Sequence, residues 1–220
     1  MPGYSTRISN VRIGDHVYRL RTLSDLQQYA DPDGDGARLG ISSAQWSLFG
    51  QVWPSGQALA TVMDGIDLDG RRILEIGCGI GLSSLVLQRR GADVVASDIH
   101  PLADAFLAYN SALNALDAVH YRHMRWDAPL ASLGTFDLII ASDVLYERGH
   151  AASLAGVVER HARPSAQVML TDPGRGHSGT FGRLLADQGF SASEHRLPAI
   201  EGRDAVSGRL LHYLRTASVA

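Results

Sequence analysis

One nine-residue stretch constrains this chain more than any other: Ile73-Leu74-Glu75-Ile76-Gly77-Cys78-Gly79-Ile80-Gly81. A short apolar run fits a strand, and glycines at alternate positions straight after it let the backbone turn sharply where a Cβ would collide with a ligand. The rhythm then repeats. A helix is predicted over 82–90 and stopped by Gly91, followed by the β-branched run Asp93-Val94-Val95-Ala96-Ser97-Asp98. Next comes a helix with Leu102, Phe106, Tyr109 and Leu113 on one stripe. Residues 119–126 read as a strand of mixed polarity, and 136–141 as a strand covered on both faces. A helix over 151–162, a strand over 167–171 and a helix over 181–188 ended by Gly189 complete the alternation. Segments 191–196 and 209–216 are two closing strands joined by a loop. Upstream, Pro54 and Ser55 open a helix with Ala58, Leu59, Val62 and Met63 on one face. Five strands alternating with helices build a doubly wound α/β sheet whose ligands sit at the carboxyl ends of the strands.

The first fifty residues differ. Residues 11–20 alternate about a Gly14-Asp15 turn like a short hairpin, so 1–50 is an extension (hairpin and loop) packed on a main domain of 51–220. Asp31-Pro32-Asp33-Gly34-Asp35-Gly36 opens like a calcium loop, but position twelve is Ser42 rather than a bidentate Glu, which favours a solvated polar loop. No metal site is expected: the nine histidines lack ligand spacing, and His120 with His123 fits an exposed strand edge. A net charge of -3 gives no general attraction for phosphate, which argues against a nucleic-acid partner. No apolar run reaches the ~18 residues that cross a bilayer. One cysteine, Cys78, and the lack of a secretory signal point to a reducing, cytoplasmic setting.

The residues after each predicted strand carry the chemistry. The dinucleotide fingerprint needs a third glycine where this chain has Leu82. Glu75, at the mouth of the glycine turn, would repel a pyrophosphate but attract an amino acid's ammonium. An aminoacyl nucleoside fits that turn better than a dinucleotide. Asp98 lies 21 residues after Gly77, where a carboxylate can accept hydrogen bonds from both ribose hydroxyls; without the glycine loop it would equally well cap the next helix. Cys78 reads as a small buried filler rather than a nucleophile.

Residues 73–81 together with Asp98 resemble the first two motifs of class I S-adenosylmethionine (SAM) dependent methyltransferases. The resemblance covers about 55–220 and implies a Rossmann-like, mostly parallel seven-strand sheet with one antiparallel strand near the C-terminus. It makes Glu75, Gly77, Cys78, Gly79 and Gly81 cofactor-loop residues, Asp98 the ribose acid with Ile99 beside it in the cofactor site, and Trp126 with Asp127 the adenine contacts. Two further segments are similar to the protein-lysine methyltransferase-like branch, which also holds bacterial nicotinamide N-methylase-like proteins. They are Val52-Trp53-Pro54-Ser55-Gly56-Gln57-Ala58-Leu59-Ala60 and Ser142-Asp143-Val144-Leu145-Tyr146-Glu147. That likeness places Trp53 and Ser142 beside the cofactor and gives Asp143 and Tyr146 the acceptor pocket. Trp53 as plain core, and a packing role for Asp143 and Tyr146, remain competing readings. The turn Asp172-Pro173-Gly174-Arg175 is the expected acceptor-side loop.

The implied function is SAM-dependent N-methyl transfer to a protein side chain, lysine favoured. A small-molecule amine acceptor is the alternative, with a closed pocket under the N-terminal segment as its mark. A nicotinamide-dependent oxidoreductase and a non-catalytic cofactor-binding module are the other readings. A lysine of pKa ~10.4 must lose its proton before it can attack, at a cost of about 4.6 kcal/mol at pH 7. Asp143 would raise that pKa, so it can orient the cation but cannot neutralise it.

Overall fold

The structure, a computed structural model, describes residues 4–25, 34–41, 43–128, 130–200 and 207–217. Two strands come first, β1 (Thr6–Ile13) and β2 (His16–Leu23), then two single-turn helices, α1 (Asp35–Arg38) and α2 (Ser43–Trp46). The main part runs α3 (Pro54–Gly65), β3 (Arg72–Ile76), α4 (Leu82–Arg89), β4 (Asp93–Asp98), α5 (Ala103–Leu113), β5 (His120–His123) and β6 (Phe136–Ser142). It ends with α6 (His150–His161), β7 (Ala162–Asp172), α7 (Ser178–Asp187), β8 (Ser191–Arg196) and β9 (Arg209–Arg215).

The seven-stranded sheet has the order β5-β4-β3-β6-β7-β9-β8. Strands β5 to β7 pair in parallel, and β9 runs antiparallel between β7 and β8. This is the expected sheet, with its single reversed strand. The chain winds outward from β3 through β4 to β5 and then returns to β6, so the crevice between the ends of β3 and β6 is the switch point where such sheets bind ligands.

Alternation along the central strands divides the core. Ile73, Leu138 and Ile140 face α3, α4 and α5, packing with Met63, Leu85 and Phe106. Leu74, Ile76 and Ile139 face α6 and α7, packing with Leu154, Val158 and Phe181. Each such side chain taken from water contributes ~1.5–3 kcal/mol. The hairpin joins the first layer through Val11, Ile13, Tyr18 and Leu20. Its β2 edge is held by one asparagine in α5 and one that caps it: Asn110 Oδ1 accepts from Arg21 N–H at 2.7 Å and Asn114 Oδ1 from Arg19 N–H at 2.9 Å.

Several boundaries differ from expectation. The hairpin is longer than 11–20, because β1 and β2 pair from Thr6↔Leu23 to Ile13↔His16, with Gly14 at φ 54 in the turn. Strand β5 is shorter than 119–126; after His123 the chain bends inward, Met124 N–H donating to Asp98 O at 3.0 Å. Strand β7 starts five residues before the expected 167, paired at its outset Phe136↔Ala162 across an irregularity in register. The loop expected before residue 50 contains α1 and α2. Asp35 there is tied to Arg38, which takes one carboxylate from the calcium-like pattern, while Asp31 to Asp33 and Ser42 lie outside the described residues. Among the described residues no cluster suited to a metal ion occurs, and no helix is long and apolar enough to cross a membrane.

Candidate active site

A cavity of about 390 Å³ opens at the switch point. One wall is the turn after β3, and it is built by hydrogen bonds from its neighbours. Cys78 N–H donates to Ser97 O at 3.0 Å and Ser97 Oγ donates to Glu75 O at 2.8 Å, tying the turn to β4. Gly77, Gly79 and Gly81 all have positive φ, at 66, 54 and 84°. They are not equivalent. A Cβ on Gly79 would meet nothing within 4 Å, and one on Gly77 would lie 3.0 Å from Val144 and 3.8 Å from Trp126. A Cβ on Gly81 would strike Leu107 at 2.2 Å, and Gly81 does not line the cavity. Gly81, expected in the cofactor loop, is thus placed where it lets α5 close on the start of α4, while Gly77 and Gly79 face the open space.

Four carboxylates line the cavity: Glu75, Asp98, Asp127 and Asp143. Glu75 is 3% exposed; its Oε2 accepts from Ser84 N–H at 3.0 Å and from the Ser84 hydroxyl, at the positive end of α4. Burial pushes its carboxyl from 4.5 up to about 7, against the pull of those hydrogen bonds. So Glu75 first serves the helix terminus and only with its remaining lone pairs faces the cavity. Asp98 bridges two loops, accepting from Gly79 N–H at 2.7 Å and from His100 N–H at 2.8 Å. Burial raises its pKa and those N–H groups lower it again, with a net upward shift. It does not cap α5, which starts five residues later.

The other two carboxylates are paired with arginine. Asp127 accepts two bonds from Arg125, at 2.9 and 2.7 Å, and its pKa is lowered by that partner. Asp143 accepts two from Arg175, Nε at 2.6 Å and Nη2 at 2.8 Å. Asp143 follows β6 at φ 51, a conformation rare outside glycine, and its N–H is fixed to Thr171 O at 2.8 Å. Neither Glu75 nor Asp98 has an arginine partner among the described residues. The two carboxyls without an arginine partner thus lie at the glycine-turn end of the cavity.

Trp53, Ile99, Trp126, Ser142 and Tyr146 also line the cavity. Trp53 is pinned by its indole N–H to Leu48 O at 2.9 Å. The rings of Trp126 and Tyr146 stand nearly perpendicular to that of His150, with centroids 5.1 and 4.6 Å away, and burial pushes the Tyr146 hydroxyl up to about 12. Cys78 is buried and its thiol is pushed well up, as befits a filler.

Several contributors lie outside the sequence-based set. Phe49 stacks on His100 at 3.9 Å, Arg125 donates to Leu39 O at 3.1 Å, and Gln45 donates to Glu147 at 2.7 Å. These contacts lay residues 39–41 and 45–51 across the cavity as a roof. Arg175 falls in the turn expected on the acceptor side; no local pattern points to the other residues, because each partner is far away in sequence.

Residues 37–180 match the family model described as Lysine methyltransferase, about two thirds of the chain. The chain belongs to that family. The family match begins inside the segment read as an extension, at the roof. Among curated relatives, the electron transfer flavoprotein beta subunit lysine methyltransferase of Danio rerio is 30% identical over 174 residues, 73% of this chain and 59% of that one. Protein N-lysine methyltransferase METTL21A of Danio rerio is 28% identical over 145 residues, 62% of this chain and 63% of that one. The chain spans about six tenths of the length of these relatives. The fold is shared with the Synechocystis magnesium protoporphyrin IX methyltransferase with bound SAM: TM-score 0.57, 19% identity, 76% of this chain and 86% of that one. It is likewise shared with the T. Thermophilus 16S rRNA methyltransferase RsmC: TM-score 0.63, 20% identity, 98% of this family member and 52% of that chain.

Proposed function

We propose that this member of the lysine methyltransferase family is a SAM-dependent N-methyltransferase whose acceptor is a lysine side chain of another polypeptide. The placing of charge in the cavity carries the reading. Glu75 and Asp98, without arginine partners among the described residues, flank the open glycine turn, which suits a ligand bearing a sulfonium and an ammonium. The relatives' names and the Asp143 and Tyr146 pair supply the acceptor class.

The residues present fit the cofactor. The absent side chain of Gly79 leaves its backbone accessible, and the lone pairs of Asp98 not used by Gly79 and His100 can accept from ribose hydroxyls. Trp126, Ile99 and Asp127 would take the adenine end, and Glu75, Trp53 and Ser142 the amino-acid end. Bound there, SAM supplies a methyl group activated by its own sulfonium charge, which leaves a neutral thioether. The chain's share is alignment, worth up to ~7–11 kcal/mol when donor and acceptor are held in line. Tyr146, protonated across the physiological range, would shape the methyl channel and hold the acceptor nitrogen through its hydroxyl. A reducing cytoplasmic setting, compatible with the free Cys78 thiol, belongs to the same proposal.

Calorimetry with S-adenosylhomocysteine tests the cofactor, and mass spectrometry of a lysate incubated with labelled SAM tests the acceptor. The chain contains no lysine, its 20 basic residues all being arginine, so methyl-lysine in that lysate must sit on another polypeptide. Absence of S-adenosylhomocysteine binding would remove the reading. The roof over the cavity favours a second reading, a small-molecule amine acceptor; label confined to small molecules would establish it over the first.

A further inference from the structure

We propose that Arg175 is a specificity-determining residue of the acceptor site: by holding Asp143 in a two-bond ion pair it removes net negative charge beside the reacting nitrogen, so that the site takes a neutral amine rather than an ammonium. This rests on the reading above, in which Asp143 and Tyr146 lie at the acceptor end.

Asp143 alone would defeat the reaction. A carboxylate within ~4–6 Å raises an amine's pKa by ~1–3 units and holds it in the form without a lone pair. The structure answers this with the Arg175 guanidinium, whose planar fork meets both Asp143 oxygens and which cannot lose its charge. Asp143 is 13% exposed at its side chain and Arg175 43%, so the carboxylate is screened mainly by the arginine and the arginine edges the mouth. Gly174 and Gly176 flank it at φ 97 and 88°, with nothing within 4 Å of either missing Cβ. The loop therefore delivers Arg175 without being packed in place, and the ion pair itself holds it.

The other charged groups facing this corner are the same with or without Arg175. Tyr146 and His150 flank it; Glu147 is bound to Gln45 and lies 3.5 Å from His150; Asp98 stands across the cavity. Asp172, at the end of β7, is near enough to act on Arg175 but is buried and does not line the cavity. An entering lysine gives its ammonium proton to water. Its lone pair then forms the C–N bond as the C–S bond breaks, the electron pair staying on sulfur and the positive charge passing to the methylated nitrogen.

Sinefungin tests this without any acceptor, because an amine-bearing carbon stands in it where the cofactor has its methyl-bearing sulfur. Its dissociation constant relative to that of S-adenosylhomocysteine is measured from pH 6 to 9 in wild type, Arg175→Gln and Arg175→Lys. In wild type the relative affinity for sinefungin should rise with pH. Arg175→Gln exposes the Asp143 charge and should raise the relative affinity at least about tenfold at pH 6 to 7 and flatten the profile, with Arg175→Lys returning toward wild type. An unchanged or lowered ratio in Arg175→Gln, with S-adenosylhomocysteine still bound, overturns this inference alone. Failure of wild type to bind S-adenosylhomocysteine removes the cofactor reading and this inference with it.

Discussion

The buried carboxyl of Glu75 makes the fold's stability depend on pH in a direction opposite to that of most acidic residues. Its pKa stands at about 7 in the folded chain against 4.5 ordinarily, so between these values the native state holds a proton that the unfolded chain releases. Stability therefore falls as pH rises through that window, is free of the penalty below about pH 4.5, and carries all of it above about pH 7.5. At ~1.4 kcal/mol per pH unit, ionising Glu75 costs the fold ~3 kcal/mol. Glu75→Gln keeps an oxygen to accept from Ser84 N–H and its hydroxyl but has no charge to bury. Urea unfolding of both proteins at half-unit steps from pH 5 to 8.5 reads the difference. The variant should gain ~2–3 kcal/mol on wild type between the two ends of the series. Asp98, whose pKa is also raised, stays in both proteins, so the difference between the curves is read rather than either curve alone. Parallel curves would show that the carboxyl is not held above its ordinary range and would refute the reasoning.

Other substitutions separate packing from ligand contact. Gly81→Ala should destabilise by ~2–3 kcal/mol through the collision with buried Leu107 while leaving S-adenosylhomocysteine affinity within about threefold at temperatures where it is folded. Gly79→Ala should do the reverse, losing ~1 kcal/mol of stability at its positive φ but at least about tenfold in affinity by calorimetry, since its Cβ enters the open space. Asp98→Asn sets an amide N–H₂ against the Gly79 or His100 N–H and should weaken S-adenosylhomocysteine by about 10–100-fold. Asn110→Ala strips partners from Arg21 N–H and Ile80 C=O together and should cost ~2–4 kcal/mol in urea unfolding, with faster amide exchange in both the hairpin and the glycine turn.

What could be read before any coordinates was local in sequence. The strand, glycine turn and helix at 72–89, and the acid ending the next strand, follow from periodicity and from the backbone freedom of glycine, and these elements stand where expected. Even there the pattern could not tell Gly79 from Gly81, since the difference lies in Leu107, 26 positions away. The turn at Arg175 was flagged, yet its hold on Asp143 across 32 positions was not, because ion pairing depends on how two βα loops end beside each other. The roof was hidden for the same reason: its contacts, Leu39 with Arg125 and Gln45 with Glu147, join segments 86 and 102 positions apart that carry no local mark of each other.

The hairpin carries this furthest. Alternation identified it and its apolar face packs on the core, but nothing within residues 4–25 says what satisfies the outer edge of β2. The answer is in α5. Asn110, fully buried, accepts from the hairpin backbone with Oδ1 and donates with Nδ2 to Ile80 O at 3.0 Å, inside the glycine turn. One amide thus satisfies a half-buried N–H of the hairpin and a buried carbonyl of the glycine turn, and it makes the two share a support. A hairpin lost or displaced would leave Asn110 half satisfied and free to turn, and Ile80 would lose the bond that fixes the turn's far side. The appendage is for that reason bound energetically to the site as well as to the core, and its removal is expected to lower ligand affinity even though Leu20 and Tyr18 lie outside the cavity.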